Sequence, residues 1–190
     1  MKLGIYGGSF DPVHLGHLLV ARAAMEELGL QKLFFVPAAC SPFKPESQPA
    51  PAELRLRLLR LALAGMNDCK MDRQEIDRGG TSYSIDTLRH FARTFPGAEL
   101  FFLIGADNLA ALAQWREAEE LARLAVFVTV PRPGEAEAVF PPAFRGRNLK
   151  GFPIRVSSSA IRARIKAGLP IDHLVPAPVA EAIRGGQLYR

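Results

Sequence analysis

The chain opens on a short apolar run, Leu3 to Tyr6, that stops at Gly7-Gly8 and gives way within a few residues to a helical pattern near Leu15. No other stretch constrains the fold as tightly. A strand handing over to a helix through paired glycines is the first βα unit of a parallel sheet. Glycine lets the backbone approach a ligand closely and take positive φ, so Gly7-Gly8 suits a turn facing phosphate. His14 and His17 follow at i and i+3, neighbours on one face of the first helical turn. Two imidazoles and the unpaired N–H groups of a helix start, aimed at one point, make an anion site. An i,i+3 histidine pair is also half of a metal site, but no further histidine or cysteine stands nearby: the others are Cys40, Cys69, His90 and His173.

Apolar and amphipathic stretches alternate along the rest of the chain. Residues 15–28 read as a helix closed by Gly29, 33–37 as a strand, 52–64 as a helix striped by Leu54, Leu58 and Leu61, and 69–76 as a strand. Residues 84–95 read as a helix capped by Ser82 or a neighbour, and 99–104 as the clearest buried strand. A helical segment over 108–124, broken near Trp115, precedes a strand over 125–130. Pro, Gly and Arg over 131–150 predict a long surface connection, then a last short strand at 154–156 and helices over 160–167 and 176–183. The pattern predicts an α/β fold: one Rossmann-like, doubly wound, mostly parallel sheet with helices on both faces, a single domain over 1–190. Ligands of such sheets bind beyond the carboxyl ends of the strands. Gly7-Gly8, Gly105-Ala106-Asp107 and Ser157-Ser158-Ser159 each follow an expected strand and converge there.

A chain of 190 residues is long enough for one well-cored domain and short for two. Its start lacks the pattern of a signal peptide, and no apolar run approaches bilayer length. Two cysteines far apart make no disulfide framework and fit a reducing, cytoplasmic setting. The net charge of +5 concentrates in residues 145–190, where nine Lys and Arg stand against Asp172 and Glu181. No set of stacking aromatics is interleaved with them, so nucleic acid is not the expected partner. Small polyanions and ordinary solvated surface account for the excess.

Gly7-Gly8-Ser9-Phe10-Asp11-Pro12-x-His14-x-Gly16-His17 resembles the H-x-G-H signature of the nucleotidyltransferase superfamily, in a form similar to the bacterial nicotinate-nucleotide adenylyltransferases. Pantetheine-phosphate adenylyltransferases and cytidylyltransferases share H-x-G-H, so later segments must select the member. Val156-Ser157-Ser158-Ser159-Ala160-Ile161-Arg162 puts hydroxyl caps and a guanidinium at a helix start. It resembles the family's Ile-Ser-Ser-Thr-x-Ile-Arg segment, with Val156 and Ser159 replacing Ile and Thr. Ser82-Tyr83-Ser84-Ile85-Asp86-Thr87-Leu88 is similar to its Tyr-Thr-Ile-Asp-Thr-Leu segment. In the loop after the second strand the family's Asn and His places hold Ala39 and Phe43.

The resemblance implies roles. Gly7, Gly8, Ser9, Phe10, Gly105, Asp107, Ser157, Ser158 and Ser159 would bind ATP, and residues from about 154 to the end would complete its phosphate site. His14, His17, Arg162 and Lys44 would serve the reacting phosphates. Ser82, Tyr83, Ser84 and Trp115 would receive the acceptor, the helix start offering donors to a carboxylate. The implied reaction is attack by the 5′-phosphate of nicotinate mononucleotide on the α-phosphorus of ATP. With a second pKa of about 6, that phosphate needs no general base. Mg²⁺ would be held through the ATP phosphates, without protein ligands. Nicotinamide mononucleotide or phosphopantetheine as acceptor, or a nucleotide-binding module without turnover, are the alternatives. Self-association into a homo-oligomer is compatible with the sequence.

Overall fold

Large apolar residues alternating with period two build the sheet, and the chain then covers both of its faces. The computed structural model describes residues 1–40, 49–130, 137–152 and 154–190. Six strands, β1 (Lys2–Gly8), β2 (Lys32–Pro37), β3 (Cys69–Met71), β4 (Glu99–Leu103), β5 (Ala125–Thr129) and β6 (Gly146–Asn148), lie in the order β3-β2-β1-β4-β5-β6. Every pairing is parallel. The order reverses at β1, so the crevice between the β1 and β4 carboxyl ends is the switch point where such sheets bind ligands.

In β4, Phe101 and Leu103 turn to one face while Leu100 and Phe102 turn to the other; β5 divides Val126 and Val128 from Ala125 and Phe127 in the same way. The first face packs on α1 (Leu15–Leu28), α2 (Ala52–Ala62), α6 (Ser158–Lys166) and α7 (Ala177–Gly185). The second packs on α4 (Ser84–Thr94), a 3₁₀ segment (Ala106–Gln114) and α5 (Ala118–Leu124). This is the doubly wound arrangement that the alternation predicts. Truncating a core ring such as the fully buried Phe127 to alanine costs about 3–5 kcal/mol.

Three local expectations are corrected. The strand at 69–76 ends at Met71, because the Asp72 carboxylate accepts the Gln74 N–H at 2.9 Å and starts α3 (Gln74–Arg78). The last strand is β6, within the stretch expected to be a loop, while 154–156 stand outside the sheet. Gly-Arg-Asn carries no apolar signal; β6 is an edge strand held by its ladder to β5 and by Asn148, which accepts from Thr129 Oγ1 at 2.7 Å and donates to the Ala138 carbonyl at 2.9 Å. The cap position of α4 is Tyr83 and carries no side-chain cap; the Ser82 hydroxyl instead accepts the Ala39 N–H at 2.9 Å. The buried face of α2 is broader than the expected leucine stripe: Leu58 is fully buried, Leu54 and Leu61 pack half-buried against the same core, and Arg55, Leu56, Leu59 and Ala62 join them. The helical segment 108–124 does break at Trp115, where Glu117 takes a left-handed backbone before α5.

Candidate active site

The carboxyl edge of the sheet opens into a cleft of ≈ 1340 Å³ lined by β1, the turn that follows it, the end of β4 and the start of α6. Gly7 and Gly8 remain in β1, paired with Val36 and Pro37, and neither needs positive φ. Their value is close approach. A Cβ on Gly8 would stand 3.1 Å from the Phe10 ring, and it is Phe10, at φ 46°, that makes the left-handed turn. That turn buries Phe10 edge-on to the His17 ring, with centroids 5.0 Å apart.

His14 is the N-cap of α1, and the two histidines cap reciprocally. His17 N–H donates to His14 Nδ1 at 3.3 Å, and His14 N–H donates to His17 Nδ1 at 3.2 Å. This is a capping box in which imidazoles replace Ser and Glu. The rings stack, centroids 3.7 Å apart at 20°. Since both Nδ1 atoms accept, each neutral ring carries its proton on Nε2. Burial lowers the His14 pKa to about 4, and burial together with the neighbouring His14 holds His17 well below the usual histidine range. Both rings are therefore neutral Nε2–H donors at pH 7. The expectation of unpaired helix N–H groups holds only in part. The amides of His14 and His17 serve the capping box, and Leu15 N–H donates to the Leu174 carbonyl at 3.0 Å. The Gly16 N–H, without a partner among the described residues, and the two imidazoles remain as donors beside the cleft.

The start of α6 docks on the same turn. Ser157 is its N-cap, accepting Ala160 N–H at 3.2 Å, and its hydroxyl lies 3.1 Å from that of Ser159. Ser158 donates to the Pro12 carbonyl at 2.9 Å, and Arg162 Nη1 donates to the Asp11 carbonyl at 2.6 Å. Across the cleft Asp107 folds back over Gly105, where a Cβ would collide with its Oδ1. Ser82, Ser84 and Trp115 line the wall beside Glu75, whose buried carboxyl accepts from Thr87 Oγ1 at 2.5 Å. Burial raises the Glu75 pKa.

The cleft thus gathers Gly7, Gly8, Ser9, Phe10, His14, His17, Ser82, Ser84, Gly105, Asp107, Trp115, Ser157, Ser158, Ser159 and Arg162. Tyr83 is not in its lining; the ring lies beneath the Arg116 guanidinium, 4.8 Å away. Lys44 lies outside the described residues. Sequence reasoning missed Arg55, which is 2% exposed and donates to the carbonyls of Ser9, Ala38 and Ala50 at 2.8–2.9 Å. The signal for it was its phase with Leu59 and Ala62 on α2. It also missed Glu75 and the C-terminal Tyr189, both in the cleft lining.

A cytidylyltransferase-like family model matches residues 5–164. A probable nicotinate-nucleotide adenylyltransferase of Thermus thermophilus is 42% identical over 194 residues, covering all of both chains. The chain belongs to the nicotinate-nucleotide adenylyltransferase family. A probable nicotinate-nucleotide adenylyltransferase of Opitutus terrae is 40% identical and covers all of this chain and 98% of its own. The fold has the same affiliation: the Plasmodium falciparum nicotinic acid mononucleotide adenylyltransferase complexed with NaAD superposes with a TM-score of 0.77 at 19% identity, over 99% of this chain and 97% of that one. Within the nicotinate-nucleotide adenylyltransferase family, H-x-G-H therefore has a local physical reading in this chain: two rings that cap one another and leave both Nε2–H groups to the cleft.

Proposed function

We propose that this chain transfers the adenylyl group of ATP to nicotinate mononucleotide, giving nicotinate adenine dinucleotide and pyrophosphate in NAD biosynthesis. The observation that carries the reading is the stacked, neutral His14–His17 pair facing the same cleft as Arg162 and the α6 start. An oxygen of the acceptor's dianionic phosphate forms the new bond to the α-phosphorus. The bond from that phosphorus to the bridging oxygen breaks, and pyrophosphate leaves with the electron pair. No proton has to be removed from the nucleophile, so two imidazoles too weakly basic to act as bases are suited to the task. Their Nε2–H groups donate to the α-phosphate oxygens, and Arg162 binds the leaving phosphates. Asp107 would hold a ligand hydroxyl, and Ser82, Ser84 and Trp115, which line the same cleft, would receive the pyridine ring and its carboxylate.

Among the described residues no three His, Cys, Asp or Glu group as a metal cage. Mg²⁺ would enter with the nucleotide, held by phosphate oxygens and water, where it would neutralise phosphate charge. Among the described residues no helix is long and apolar enough to cross a membrane. Both cysteines are free, which suits a reducing, cytoplasmic setting.

Pyrophosphate release from Mg-ATP, measured in parallel with nicotinate mononucleotide, nicotinamide mononucleotide and phosphopantetheine, tests the reading. Strong preference for nicotinate mononucleotide is expected. Preference for another acceptor would keep adenylyl transfer and discard the acceptor assignment, and no release with any would leave a binding module.

A further inference from the structure

Asp11 is a junction of distant segments. It is 6% exposed; its Oδ2 accepts the Ala50 N–H at 3.3 Å, and its carbonyl accepts Arg162 Nη1 at 2.6 Å, with Oδ2 also 3.8 Å from that nitrogen. Its Oδ1 is buried without a hydrogen-bond partner among the described residues, and so is the Tyr189 hydroxyl. Both residues line the cleft. Burial first, then the charge of the Asp11 carboxylate and a loose hydrogen bond to it, raise the Tyr189 pKa, and Arg162 and Arg55 are close enough to oppose the rise.

Packing alone does not explain this tyrosine. Its ring sits against the core, which phenylalanine would fill as well, and a buried hydroxyl without a full partner costs about 1–3 kcal/mol. The tail that delivers it is also strained: Gln187 at φ 50° and Tyr189 at φ 66° both take the left-handed backbone that non-glycine residues avoid. A costly hydroxyl brought to a catalytic cleft by a strained tail marks a functional constraint.

We propose that Tyr189 is a positioning residue, its hydroxyl closing on Asp11 Oδ1 when ATP binds and so fixing the Asp11–Arg162 contact that presents the guanidinium to the phosphates. The segment after α7 thereby becomes a wall of the phosphate site. The inference rests on the adenylyltransferase reading for the role of Arg162.

The test compares wild type, Tyr189→Phe, Arg162→Ala and the double variant, each as the full chain. Binding of a non-hydrolysable ATP analogue is measured by calorimetry, alongside pyrophosphate release and thermal melting. Tyr189→Phe should melt at or above the wild-type temperature yet bind the analogue about fivefold or more weakly, with a similar fall in kcat/KM. The double variant should bind no more weakly than Arg162→Ala, since the hydroxyl acts through that side chain. Binding and turnover of Tyr189→Phe within twofold of wild type would overturn the proposal, as would losses that multiply in the double variant. Analogue binding by a wild type that turns over no nicotinate mononucleotide would sink the proposed reaction, while the binding cycle would still judge Tyr189. A wild type that binds no analogue would overturn both.

Discussion

At the scale of single residues, the histidine pair makes stability respond to pH through its capping geometry. Folded His14 titrates at about 4, whereas an unfolded chain would titrate near 6.5. Between those values the unfolded state holds a proton that the folded state does not, so stability falls as pH drops from 6.5 towards 4. His14 alone is worth roughly 3 kcal/mol over that window, and His17 adds with the same sign. His14→Asn keeps an acceptor able to cap α1 but cannot titrate. Urea unfolding from pH 7 to about pH 4.5 should therefore show a shallower loss for this variant than for wild type; equal slopes would mean that the ring protonates freely in the folded protein. His17→Ala removes an Nε2–H donor, and its kcat should drop about 10²–10³-fold at pH 7. Near-normal turnover by that variant would dismiss the assigned role.

At the scale of elements, the β1–α1 unit explains why a glycine stands between the two histidines. A Cβ on Gly16 would lie 3.0 Å from His14 Cε1 and Nδ1 and 3.0 Å from Val156 Cγ1, so the space belongs to the imidazole. Gly16→Ala should push the His14 ring off its stack and cost about 1–3 kcal/mol of overpacking. Turnover should fall more than KM for ATP rises, and a variant with wild-type kcat would show that the ring tolerates the shift. This unit was legible in the sequence because its signals are local: an apolar run, paired glycines, a histidine spacing and Gly29, which ends α1 at φ 63°. Short elements were not. α3 depends on one Asp72 hydrogen bond, and β6 depends on a ladder to β5 that Gly-Arg-Asn does not announce.

At the scale of the whole molecule, the cleft is assembled by contacts that no window of sequence contains. H-x-G-H and the serine run could be read singly; that Ser158 reaches Pro12, and Arg162 reaches Asp11, required the fold. Arg55 is the strongest case. Its side chain leaves the buried stripe of α2 to collect three carbonyls, from the turn after β1, the exit of β2 and the segment before α2. Burial lowers its pKa, and the nearby Asp11 charge opposes that shift and favours the cation. A lysine keeps the charge but has one nitrogen, so Arg55→Lys cannot span the fork and leaves carbonyls unsatisfied. We expect a loss of about 2–3 kcal/mol, a fall in melting temperature of roughly 5–10 °C. Because the same carbonyls hold the Ser9–Asp11 turn beneath the histidines, turnover should fall as well, and saturating ATP should restore part of the melting temperature by binding the folded state. A melting temperature unchanged from wild type would show that water serves those carbonyls equally well, and that the carboxyl edge is held together by α6 and the C-terminal tail alone.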